Sequence, residues 1–127
     1  MSKVSGVAGV VLFSLVVALV SAVRATETQP RVVKITAERF TFTPSEVTVA
    51  PGTEIEFQLT SEDTAHGFRI LGQSVELSIP KRGRGEATVR FTPPGEGRYT
   101  FECSRMCGAG HSFMRGTIKV VAPGGER

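Results

Sequence analysis

The chain has 127 residues, 40% of them hydrophobic and 21% charged, which suits one foldable domain with an extension and excludes two ordinary domains or a wholly disordered chain. Fifteen basic residues against 12 acidic ones give a formal charge of +3, scattered in both signs without a basic run, so nucleic acid is excluded as the first choice of partner. Trp is absent and Tyr occurs once.

The first segment is uncharged from Val4 to Val23, opened by Lys3 and closed by Arg24. At about 20 residues it is long enough to span a bilayer as a helix. A cleavable signal peptide is the competing reading, with Lys3 as its basic start and small residues around Ser21 to Ala25 as its cleavage site. Either reading of residues 1–24 exports the remainder of the chain, and the weak charge asymmetry leans towards a cytoplasmic amino terminus. A polar linker occupies 25–31. With Lys3 and Arg24 set aside, the exported part has only one basic residue more than acidic ones and is close to neutral.

From position 32 the pattern has period two. Glu54 to Thr60 places Ile55, Phe57 and Leu59 on one face and polar groups on the other, as a half-buried strand requires. The alternation recurs at Val32 to Ala37, Val47 to Val49, His66 to Ile70, Val75 to Ile79, Ala87 to Phe91, Tyr99 to Cys103 and Ile118 to Val120. Pro51-Gly52, the Gly-rich stretch from Lys81 to Gly85, and Pro93-Pro94-Gly95 punctuate it with turn chemistry. Seven or eight short strands at roughly ten-residue spacing predict an all-β Greek-key sandwich or barrel over 32–122, followed by a disordered tail at 123–127.

The chemistry is concentrated from Cys103 to Met114, which read CSRMCGAGHSFM. Both cysteines, one of the two histidines and two of the three methionines fall there. Alternation points the Cys103 sulfur into the sandwich, and Cys107, His111 and Met114 come next on a Gly-bearing loop that can fold back over it. The second histidine, His66, joins them if its strand lies beside the one ending at Cys103. Thiolate and thioether donors are soft and favour copper, and the set has no carboxylate for a harder ion. Three plainer readings stand beside copper: a Cys103–Cys107 disulfide, usual for two cysteines in an exported chain; a closed zinc site of Cys103, Cys107, His66 and His111; and Met114 and His66 as ordinary core residues. Nucleophilic catalysis is excluded, because a third group that would orient a Cys-His pair is missing.

Cys-x-x-x-Cys-x-x-x-His-x-x-Met, preceded by Asp63-Thr64-Ala65-His66-Gly67-Phe68, resembles the dinuclear CuA motif of cytochrome c oxidase subunit II. The likeness runs over about 32–121 and includes the cupredoxin-like segment Phe42 to Val49 and the closing segment Phe113 to Ile118. With one N-terminal apolar segment, the chain looks like the short, single-anchor B-type form. The resemblance implies two copper ions bridged by Cys103 and Cys107, with His66 on one and His111 on the other. It further implies Met114 as a weak axial ligand and the backbone carbonyl of Arg105 as the weak ligand opposite. In many family members that position is Glu, which also helps to hold magnesium; Arg105 is cationic and offers no side-chain acceptor.

The activity implied is outer-sphere electron transfer. Electrons come from a cytochrome c or a small copper protein and pass to haem in a membrane-bound catalytic subunit, where oxygen is reduced. The copper domain then lies on the periplasmic side of the membrane. Phe68, Phe101 and Phe113 are expected to form the apolar shell of the metal, and Met106 to be exposed or to pack on a partner. Near-neutral charge and the absence of Trp predict a largely apolar, weakly salt-dependent docking surface. A free-standing periplasmic copper carrier and a copper-delivery protein are the alternatives; a nitric oxide reductase with CuA shares the same site.

Overall fold

The computed structural model describes Ser2 and residues 28–125. The segment read as anchor or signal peptide lies outside the described residues except for Ser2, as do the last two residues of the tail. Among the described residues nine strands are formed: β1 (Arg31–Glu38), β2 (Thr41–Thr43), β3 (Glu46–Val49), β4 (Ile55–Ser61), β5 (His66–Ile70), β6 (Val75–Ile79), β7 (Ala87–Phe91), β8 (Gly97–Glu102) and β9 (Arg115–Val120). The short β2, with Phe42 its one inward residue, is the strand that period-two counting misses, because three residues give no repeat to count.

The strands build two sheets, β2-β1-β4-β7 and β3-β9-β8-β5-β6. Pairings are antiparallel except β1 with β4 and β3 with β9. These parallel pairs cannot be made by hairpins, so the chain crosses between sheets, as an all-β Greek-key sandwich demands. Register obeys alternation: Val33 stands opposite Phe57 and Ile35 opposite Leu59, all four facing the core. Pro51-Gly52 turns the chain between β3 and β4, with Gly52 at φ +79°, a conformation that costs glycine little.

Four rings, Phe42, Phe57, Phe68 and Phe101, fill the middle of the sandwich with centroids 5.2 to 6.0 Å apart along the contacting pairs. Each is almost fully withdrawn from water, and burying such a side chain contributes roughly 1.5–3 kcal/mol. The Phe101 ring occupies the space that a side chain at Gly116 would need, since a Cβ there would lie 2.1 Å from its Cζ. Glycine is therefore required opposite Phe101.

Topology gathers three connections at one end of the sandwich. β1 and β4 finish side by side, with Ala37 opposite Ser61. β5 starts there at His66, opposite the end of β6 at Ile79. β8 ends there at Glu102, between Arg69 of β5 and Arg115 of β9. The Arg39-Phe40 turn, the 62–65 loop and the 103–114 loop thus converge.

Candidate metal centre

Beyond β8 the inward–outward alternation continues for one residue. Phe101 points in, Glu102 reaches out to Arg69 at 2.6 Å and Arg115 at 3.2 Å, and Cys103 is buried. The Cys103 N–H donates to the Met114 carbonyl at 3.1 Å, which draws the two ends of the loop together. Inside it a single 3₁₀ turn, His111–Phe113, is held by the N–H of Met114 donating to the carbonyl of His111 at 3.2 Å. With about three residues per turn, this geometry sends successive side chains in different directions. His111 lies half-buried, Met114 is fully buried, and Phe113 is 82% exposed.

Phe113 is therefore not part of an apolar shell around the cysteines, contrary to the expectation from its place in the sequence. Phe68 and Phe101 are fully buried as expected, and Met106 is 75% exposed.

The structure brings all six candidate positions together, in two groups. Around the first sulfur, Cys103 Sγ lies 3.9 Å from His66 Nδ1 and donates to the Arg105 carbonyl at 3.1 Å. Around the second, Cys107 Sγ lies 3.7 Å from His111 Nδ1 and 3.9 Å from Met114 Sδ. The two sulfurs are 3.8 Å apart. His66, Cys103 and Cys107 offer donor atoms all within 4.8 Å of one another, while His111 adjoins the cluster through Cys107.

Residues without a direct place at the sulfurs orient those that have one. His66 is fully buried, and its Nε2 meets Asp63 Oδ1 at 2.7 Å, so Nε2 donates to the carboxylate and Nδ1 is the ring nitrogen turned towards Cys103. Burial works against the Asp63 charge, but the Arg39 N–H, the His66 ring and the Thr64 N–H outweigh it and hold the carboxyl down to about 2. The Arg39 N–H donates to Asp63 Oδ2 at 3.0 Å, leaving Oδ1 to the histidine. The Gly67 N–H donates to Cys103 Sγ at 3.4 Å, and a side chain at Gly67 would collide with Ser104 and with the Arg105 backbone. Reading by residue chemistry assigns no role to Asp63, Arg39, Phe40 or Gly67, and its premise that no third group orients a Cys-His pair is corrected by Asp63 on His66; burial of Cys103, not the want of an orienting group, is what speaks against a nucleophile. The Asp63-x-x-His66 spacing is the one signal that could have found a partner for the imidazole.

The donor set fits a soft metal. Both cysteines are free, and 3.8 Å between sulfurs is far outside a disulfide of about 2.05 Å. It is short enough for both sulfurs to reach one ion at about 2.3 Å. Each sulfur has its own imidazole and its own weaker donor close by, His66 and the Arg105 carbonyl at Cys103, His111 and Met114 at Cys107. The Cys107 thiol is pushed up to about 11 by burial and by Cys103 beside it, so the metal-free pair favours the thiol form at Cys107.

A comparison with known families matches residues 10–120 to the cupredoxin-like domain. The chain belongs to the cupredoxin-like family. Two Thermus thermophilus relatives, each called cytochrome c oxidase subunit 2, are 38% identical to this cupredoxin over 89 residues, or 69% of the chain. The match covers 64% and 51% of their own lengths, so the chain spans between about half and two thirds of these curated relatives. Among solved structures, the periplasmic domain of subunit II of the Bradyrhizobium japonicum cytochrome oxidase superposes with a TM-score of 0.67 at 21% identity, covering 76% of this chain and 88% of that one. Auracyanin A, a blue copper protein of Chloroflexus aurantiacus, gives 0.60 at 15% identity over 73% of this chain and 100% of its own. At these identities the structural likeness establishes the cupredoxin fold. Among the described residues of this cupredoxin, no helix is long and apolar enough to cross a membrane.

Proposed function

We propose that this cupredoxin is the electron-transfer subunit of a membrane terminal oxidase, holding a dinuclear copper centre between Cys103 and Cys107. The observation that carries the reading is the pairing of each sulfur with its own imidazole, His66 for Cys103 and His111 for Cys107, across a 3.8 Å gap. Met114 and the Arg105 carbonyl stand as the weak donors, one beside each sulfur. The names of the Thermus relatives support the same reading.

Copper held by Cys103, Cys107, His66 and His111, with Met114 and the Arg105 carbonyl as weak donors, would supply a one-electron store. The protein's part is to hold six donors still and keep water away. Cys103, Met114 and His66 are buried, and the strands on either side of the loop fix its ends. Donors that do not move between redox states keep the reorganisation accompanying each transfer small. His111, half-buried, is the donor side chain that reaches towards the surface, with the exposed Phe113 two residues on, and this is where an electron enters. The donor is a cytochrome c or a small copper protein, and the acceptor is haem in the catalytic subunit. Residues 1–24 anchor the chain in the membrane with the copper domain on the periplasmic side.

Loading the full chain with copper and recording optical and paramagnetic resonance spectra tests the assignment. A purple protein with two coppers per chain and the hyperfine pattern of one electron shared by two copper nuclei is expected; a colourless or one-copper product overturns it. A free-standing periplasmic carrier has the same spectrum, and recovery of the mature protein in the soluble fraction with residues 1–24 removed favours it. Copper delivery is the weaker alternative, because it needs exposed donors and Cys103 is buried.

A further inference from the structure

The two halves of the site are carried by different parts of the chain, and a single two-residue turn touches both. Arg39 and Phe40 connect β1 to β2, at the end of the sheet opposite the one bearing the cysteine loop. On one side the Arg39 N–H holds Asp63 Oδ2 at 3.0 Å, and Asp63 Oδ1 holds His66 Nε2 at 2.7 Å. On the other side the Phe40 ring fills the space that side chains at Gly108 and Gly110 would need. A Cβ at Gly110 would stand 2.4 Å from its Cδ2, and one at Gly108 would stand 2.9 Å from its Cε1. These glycines lie between Cys107 and His111, so the ring covers the stretch of chain that sets the distance between them.

From this geometry we infer that the Arg39-Phe40 turn is a common brace for both histidine arms. Arg39 positions His66 through a hydrogen-bonded carboxylate, and Phe40 positions His111 by packing. Neither touches the sulfurs, so both are positioning residues. Glycine at 108 and 110 is what admits the ring. Without it the 3₁₀ turn would rest on its few internal hydrogen bonds, those of the His111, Phe113 and Met114 amides. The brace makes the spacing of the two arms a property of the sandwich rather than of the loop alone. Its role in holding metal rests on the copper reading above, but its effect on the loop does not.

The test is therefore made first on the metal-free full chain. In Phe40→Ala the amides of His111, Phe113 and Met114 are expected to exchange with solvent at least about tenfold faster, with the core amides of β4 unchanged and Phe40→Leu intermediate. Asp63→Ala is expected to leave those amides within about twofold and to shift the ring resonances of His66 instead. Only two histidines are present, so the ring signals separate cleanly. Loop exchange within about twofold of the parent in both Phe40 variants, or equal acceleration of every amide, overturns the brace. If Phe40→Ala does not fold, Phe40→Leu carries the same comparison. In the copper-loaded protein Phe40→Leu should make the two copper nuclei unequal in the hyperfine pattern. A parent chain that takes up no copper refutes the copper reading and leaves the exchange result to decide the brace.

Discussion

Gly67→Ala puts the architecture of the site under a defined strain. A methyl group at this position meets Ser104 Oγ at 2.2 Å, the Arg105 nitrogen at 2.8 Å and the Ser104 nitrogen at 2.9 Å. The hydroxyl can rotate away, but the two nitrogens are backbone and must retreat by about 0.5 Å to reach ordinary contact, moving the Arg105 carbonyl with them. Overfilling a well-packed site costs about 1–3 kcal/mol, and a backbone that must shift puts the cost at about 2–3 kcal/mol. With a urea dependence of about 1–3 kcal/mol per molar for a small domain, the unfolding midpoint should fall by about 1–2 M. Gly95→Ala is the control, since nothing lies within 4 Å of its added methyl and its φ is not positive, and it should stay within about 0.5 kcal/mol of the parent. The same displacement loosens the Gly67 N–H contact to Cys103 Sγ, so the copper-loaded variant should also show a shifted thiolate absorption. Equal midpoints for the two alanine variants would refute the packing argument, and an unchanged spectrum would refute its link to the sulfur.

The same geometry sets other outcomes. Asp63, held down to about 2 from an ordinary 3.8, contributes stability that is present above about pH 4 and lost as pH falls towards 2. Allowing for its partial exposure, the contribution is about 1–2 kcal/mol, and Asp63→Asn should flatten the acid limb of an unfolding-versus-pH curve; an unaltered limb counts against it. Because the Cys107 thiol is pushed up to about 11, metal uptake must expel its proton. Affinity measured by chelator competition should rise about tenfold per pH unit for that proton between about pH 6 and 8, and a flat profile would contradict this. Phe68→Ala removes a fully buried ring of the central cluster and should cost about 3–5 kcal/mol in denaturant unfolding. If the electron-transfer reading holds, the rate of reduction by a cytochrome c or small copper protein should drop less than tenfold from low to high salt, since Met106 and Phe113 are exposed apolar side chains of the candidate loop; a larger drop points to charge-steered docking.

The strands other than β2, the turn positions and the candidate donor residues were readable along the chain because they rest on local chemistry. Alternation at Ile55, Phe57 and Leu59 fixes which face is buried wherever the strand pairs. The spacing of Cys103, Cys107, His111 and Met114 places four soft donors on one loop whatever surrounds it. Phe113 could not be read this way, because its direction depends on a 3₁₀ turn that only forms when the loop closes between Cys103 and Met114. His66 lies far from the loop in sequence, and its arrival there depends on β5 pairing with β8. Its orientation in turn depends on Asp63 and on an N–H of the β1–β2 turn. Sequence alone therefore determined which residues are candidates to hold a metal. The pairing of one imidazole with each sulfur was decided by long-range strand register and by packing of the Phe40 ring, which bring together residues that no local pattern relates.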